Sequence, residues 1–289
     1  MLASGACLPA CGSRTSLAVP SAHDSGSPPP TRDAGSPPPT HDGGSVPPPP
    51  APDAAAGCGD GGLLANSYLY DGNEIYRYDP LTGQVTAVGV PSCLGQGGPW
   101  TMTASGNTAY LVFNDGSIDA VDLTTLTCSA TPFQPAQLGF EFGVAATLAG
   151  GAPQIFYYSL PSAGGAPILA VSDTLTFVVT EVGPIVPVPP ASSFPVNLVA
   201  DATGELYAYS PDGLVQRINP ATGAVVQAVQ TNVTTGSTWA TLPYGSQLFL
   251  IAGSTAVGNA LALQQQTSVH DLQVGPIGAA TIPLCGVSE

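Results

Sequence analysis

Lysine is missing from this 289-residue chain, and its only strong bases are four arginines set against nineteen acidic residues. Without lysine there is no Schiff-base chemistry and no Walker-type phosphate loop. A net charge of −15 repels phosphate backbones and anionic lipid heads, which excludes nucleic acid and polybasic membrane contacts. Histidine is nearly as scarce: of three, only His270 lies beyond residue 41, too few for a histidine-rich metal cluster. His270 and Asp271 have no nucleophile to serve, because no G-x-S-x-G elbow occurs. No apolar run approaches the ~18 residues that cross a bilayer as a helix.

The first fifth of the chain is unlike the rest. Residues 24–32, 33–41 and 42–50 read DSGSPPPTR, DAGSPPPTH and DGGSVPPPP, three nine-residue copies. Proline triplets favour extended polyproline II and Gly-Ser pairs hinge them, so residues 23–57 read as a disordered, semi-stiff tether with reach but no core. Upstream, residues 1–22 hold Leu8-Pro9-Ala10-Cys11 followed by Gly12-Ser13. This resembles a bacterial lipobox, with Cys11 as the lipidated residue, and implies export to the outer cell envelope on a lipid anchor, or secretion. Residues 58–289 form the domain.

Within the domain one phrase recurs: an alternating strand, a turn of Asp or Asn with Pro and Gly, and a second alternating strand. It is clearest at 74–89 (EIYRYDPLTGQVTAVG) and 214–229 (LVQRINPATGAVVQAV), with a worn copy at 117–133 (SIDAVDLTTLTCSATPF). A unit this small cannot bury its own faces, so several must stack. The corresponding turn residues Asp79, Asp122, Ser172, Asn219 and Gln264 fall 43, 50, 47 and 45 apart, the length of one four-stranded propeller blade. The fold expected is therefore all-β, a five-bladed β-propeller. Its fifth unit is laid out as strands at 239–242, 247–251, 260–263 and 269–274.

The first unit lacks an innermost strand, and residues 277–284 are left over at the other end. A ring of sheets closes best when both ends of the chain share a blade, so 277–284 is expected beside 68–70 as that missing strand. The closure brings Cys285 towards Cys58. A Cys58–Cys285 bridge would close a loop of more than two hundred residues, adding ~5 kcal/mol on the chain-entropy account. Cys93 with Cys128 is then the second pair, although four cysteines allow three connectivities. Bridges agree with an oxidising, extracytoplasmic address.

The strand, D/N-P-x-T-G turn and strand at 75–88 and 215–229 resemble NHL- and YVTN-type β-propeller repeats. The Pro-rich leader, the cysteine, the Pro99-Trp100 strand start and the late cysteine resemble secreted propeller lipoproteins of GC-rich bacteria. The resemblance implies a fold and an exported address. It implies no function, since propellers host many.

Topology puts the turns joining second to third strands on one face with the long connections between blades. That face is expected to gather Asp71, Asn73, Asn114, Asp115 and Asp212, with Trp100 and Trp239 at the starts of innermost strands. The expected function is a non-catalytic binding or scaffold module, a monomer held on its stalk and taking a neutral glycan or a peptide, with no cofactor. One alternative is a Ca²⁺-dependent hydrolase, lactonase or lyase built on carboxylates such as Asp71, Glu74, Asp115, Asp119, Asp201, Glu205 and Asp212. The other is a purely structural envelope protein. For each of these acids the competing role is to lock its own hairpin turn.

Overall fold

The computed structural model describes residues 67–93, 98–135, 138, 142–148, 152–160, 165–187, 196–233, 239–260 and 265–281. Its twenty strands fall into five four-stranded antiparallel sheets arranged as a ring, a five-bladed β-propeller. Blade one holds β1 (Ser67–Tyr70), β2 (Ile75–Tyr78) and β3 (Val85–Gly89); blade two holds β4 (Pro99–Ser105), β5 (Thr108–Phe113), β6 (Ile118–Asp122) and β7 (Cys128–Ala130). Blade three is β8 (Phe142–Thr147), β9 (Gln154–Ser159), β10 (Ile168–Asp173) and β11 (Thr180–Pro184). Blade four is β12 (Asn197–Ala200), β13 (Leu206–Tyr209), β14 (Leu214–Ile218) and β15 (Val225–Gln230). Blade five is β16 (Trp239–Tyr244), β17 (Gln247–Ala252), β18 (Thr255–Ala260) and β19 (Gln265–Asp271).

The last strand, β20 (Ala279–Thr281), returns to blade one. It pairs antiparallel with β1 in the register Tyr68↔Thr281, Leu69↔Ala280 and Tyr70↔Ala279, so the sheet order is β20-β1-β2-β3. This is the closure expected from the leftover segment. The innermost strands then neighbour one another around the axis: β20 lies beside β4 and β16, β8 beside β4 and β12, and β12 beside β16.

Each blade is sandwiched between two others, which explains why its second strand is buried on both faces. In β5, Leu111 and Phe113 join the core shared with blade one, while Tyr110 and Val112 join the core shared with blade three. Outer strands carry the opposite pattern, as in the largely exposed β15. Close approach also dictates composition. A Cβ on Gly143 in β8 would stand 2.8 Å from the Leu198 amide nitrogen of β12, inside the distance real side chains tolerate, so glycine lets these two inner strands meet.

The turns after the third strands share one construction. Asp79, Asp122, Asp173 and Asn219 each accept, through side-chain Oδ1, the backbone N–H two residues on, at 2.7–2.9 Å. The residue four positions on is left-handed, with φ of +75° at Gly83, +58° at Leu126, +54° at Phe177 and +76° at Gly223. Leucine and phenylalanine tolerate that strain because both side chains fill seams between blades. The third-blade turn thus starts at Asp173, one residue beyond the expected Ser172, whose hydroxyl instead meets the Tyr157 hydroxyl at 2.8 Å.

Blade five departs further from the sequence reading. Its third strand is 255–260 rather than 260–263, and its fourth is 265–271 rather than 269–274. The hairpin turns tightly at Gly253-Ser254, with Gly253 at φ +60°, so the strand resumes at once. Gly258 and Asn259, read as loop residues, sit at a register shift against β19. A Cβ at Gly258 would meet Ser268 Oγ at 2.5 Å. The turn at Gln264 lies outside the described residues, as do residues 282–284.

Candidate binding face

Trp100 and Trp239 open the innermost strands of blades two and five, which are not neighbours because blade one stands between them. Their rings nevertheless meet edge to face, with centroids 5.6 Å apart and planes at 86°, a favoured aromatic geometry. Both are half-buried. Trp239 rests on the core between blades four and five beside Val233, and its indole Nε1 has no hydrogen-bond partner among the described residues.

At the same end of the ring the axis is crossed by polar side chains. Asn197, at the start of β12, donates through Nδ2 to Thr101 Oγ1 at 3.0 Å, and its Oδ1 accepts from the Thr241 amide at 3.2 Å. Blades four, two and five are tied together by this one amide. Further along, Thr103 Oγ1 accepts from the Ala146 amide at 2.6 Å. Asn197, Thr101, Thr103 and Thr241 are all buried, and such satisfied polar groups hold an interior in one arrangement.

The acidic and amide residues of the face are placed in turns of three different blades. Asp71 Oδ1 accepts from the Asn73 and Glu74 amides at 2.9 and 2.8 Å, and its Oδ2 accepts from the Tyr76 hydroxyl at 2.9 Å. Asn114 is exposed, and its amide bonds the Gly98 carbonyl at 3.3 Å, beside the start of the Trp100 strand. Asp115 accepts from both the Ser117 hydroxyl and amide; the hydroxyl above all holds its carboxyl below the usual range. Asp212 accepts from Ser210 Oγ at 2.7 Å and the Leu214 amide at 3.3 Å. The structure therefore brings the two tryptophans together, holds Asp71, Asp115 and Asp212 in local turn locks, and gives Asn73 and Asn114 backbone bonds to Asp71 and Gly98. Among the described residues, no three His, Cys, Asp or Glu side chains converge as a metal site.

The other carboxylates proposed for calcium are also engaged. Asp201 and Glu205 accept from the Tyr207 hydroxyl at 3.3 and 3.1 Å, and Glu205 pairs with Arg217 at 3.4 Å. Asp119 is different, being buried in β6, where burial first and the charge of Asp115 second push its carboxyl upward. A folded value raised above the unfolded one contributes stability below the ordinary carboxylate range and loses it as pH rises through the folded value. Asp119→Asn is accordingly expected to raise the melting temperature at neutral pH, with the gain vanishing in acid. Equal melting shifts at both pH values would contradict that account.

His270 closes a seam. Its Nδ1 and the Tyr78 hydroxyl are 2.7 Å apart, which joins blade five to blade one next to Phe249. Asp271 does not bear on it, accepting instead from the Gln273 side-chain amide at 2.6 Å. Cys93 and Cys128 are bridged as expected, with Cα atoms 5.3 Å apart, tying the connection into blade two to its outer strand. Cys11, Cys58 and Cys285 lie outside the described residues.

Sequence reasoning missed a cavity of about 260 Å³ between blades four and five, lined by Arg217, Gln227, Asn259 and Gln266 above Tyr207, Leu248 and Leu250. These residues come from separate strands of two blades.

No protein-family model matches the chain, and no curated protein does. Solved structures similar to it include apo AztD from Citrobacter koseri, at 11% identity over 75% of this chain and 61% of that one, with a TM-score of 0.35. Glutaminyl cyclase from Myxococcus xanthus is 12% identical over 60% of this chain and 70% of that chain, with a TM-score of 0.42. A protein of unknown function from Bacteroides caccae is 11% identical over 71% and 72%, at 0.39. The chain thus spans about three fifths of the length of AztD, and none of these likenesses bears on what it binds.

Proposed function

We propose that this protein is an exported binding module of the cell envelope, with residues 23–57 as its stalk, Cys11 as its lipid attachment, and a neutral glycan or peptide as its ligand at the tryptophan face. One observation carries the reading: two half-exposed indoles from non-adjacent blades meet at the end of the ring where Asn197 crosses the axis. An aromatic pair on a rigid scaffold offers flat apolar area at little entropic cost, which suits the C–H face of a sugar ring or a peptide side chain. The charge of −15 favours a ligand without negative charge. The acids nearby are occupied in their own turns, which supports binding over carboxylate catalysis.

Pull-down on insoluble glycans and peptidoglycan tests this. Trp100→Ala and Trp239→Ala are each expected to weaken retention by about tenfold or more, the range of an interface hot spot, while the variants remain folded by circular dichroism. Retention unchanged in both would refute the face as the site. A melting temperature raised by Ca²⁺ and restored by EDTA, together with ester or lactone turnover, would favour the calcium enzyme instead.

A further inference from the structure

The seam between blades four and five is the least filled of the ring. Among the described residues its core contains six buried apolar side chains, Val199, Tyr207, Tyr209, Val215, Leu248 and Leu250, where the other four seams hold ten or eleven. Blades diverge away from the axis, so each seam needs bulk at its outer end. The seam between blades two and three has Phe133 and Phe177 there. Here the outer end instead carries two polar rows: Arg217 and Gln227 are cross-strand partners in blade four, and Asn259 and Gln266 are partners in blade five. Behind them Tyr207 is paired with Arg217, and Leu248 with Asn259. The space enclosed, about 260 Å³, lies just below the roughly 300 Å³ at which drug-sized pockets begin.

Its chemistry is specific. Glu205 holds Arg217 at Nη1, 3.4 Å away, so the pair is close to neutral. Arg217 Nε is buried with no partner among the described residues, a donor that is costly to leave unmet. Gln227, Asn259 and Gln266 add carboxamides, each able both to donate and to accept. Hydroxyl groups have the same double character, and the aliphatic floor of Leu248 and Leu250 suits the C–H face of a ring. A carboxylate would be opposed by Glu205 and by the charge of the whole chain.

We infer that this cleft is a second binding site, separate from the tryptophan face, for one neutral sugar ring, with the carboxamides of Gln227, Asn259 and Gln266 hydrogen-bonding its hydroxyl groups. The probes are glucose, galactose, mannose and N-acetylglucosamine, with glucuronate as the charged control, followed by saturation-transfer NMR on the full chain. At least one neutral sugar is expected to bind, and to bind about tenfold more tightly than glucuronate. Binding is expected to fall by about tenfold in Gln227→Ala/Gln266→Ala, two exposed positions whose loss leaves the fold intact, and to vanish in Val229→Phe, which fills the cleft from a partly exposed strand. Trp100→Ala, whose ring lies outside that seam's core, should leave it unchanged. Loss in Trp100→Ala with retention in the cleft variants would overturn the second site and leave the tryptophan face standing. No saturation transfer from any neutral sugar would overturn it as well, leaving a cleft filled by solvent only.

Discussion

Ala280→Asp is expected to lower the melting temperature by roughly 10 °C or more. Ala279 and Ala280 sit in β20 with no exposed surface, and they look in opposite directions: Ala279 joins the core shared with blade two, Ala280 the core shared with blade five. A carboxylate at 280 would enter a dry seam among Leu69, Tyr78, Leu242 and Leu272. An uncompensated buried charge costs about 3–5 kcal/mol, and about 2–4 °C is lost per kcal/mol in a domain of this size. A domain is stable by only about 5–15 kcal/mol, so deleting residues 276–289 is expected to remove the cooperative transition entirely. Ala228→Asp, on the exposed outer strand β15, is the control, with an expected change within about 0.5 kcal/mol. Thermal denaturation decides the matter, and an Ala280→Asp protein that melts with the wild type would mean that β20 does not seal the ring.

Strong alkali is expected to unfold the protein in one cooperative step. Burial pushes the Tyr70 hydroxyl up to about 12, and the same cause raises Tyr78, Tyr157, Tyr158 and Tyr209 further. These groups hold their protons more tightly folded than unfolded. Their stabilising contribution is complete below about pH 10, the unfolded tyrosine value, and is lost as pH climbs through the folded values. With no lysine in the chain, tyrosine dominates titration in this range. Tyrosinate absorbance and far-ultraviolet circular dichroism should therefore change together, at a pH above that of free tyrosine. A gradual rise in absorbance centred near pH 10 with the circular dichroism intact would contradict the burial that drives the shifts.

The architecture was legible because it rests on local chemistry repeated at blade length. The Asp or Asn turns, the spacing and the leftover strand at 277–284 together predicted five blades and the way they close. The errors came where local chemistry is ambiguous. In blade five Gly258 and Asn259 look like a turn yet lie within a strand, because a neighbouring side chain fills the place of the missing Cβ. In blade three the choice between Ser172 and Asp173 depended on which side chain faces inward. The meeting of Trp100 with Trp239 depends on ring diameter and the cleft on which outer rows face each other, and neither quantity is written in any single segment.

Because Thr281 must be paired with Tyr68 before the ring exists, a nascent chain emerging from the ribosome holds at best an open arc of sheets until almost the whole domain has been translated. A domain assembled this way stays in a threadable form until its closing strand is made, with its first blade waiting unfinished for residues 279–281 to arrive.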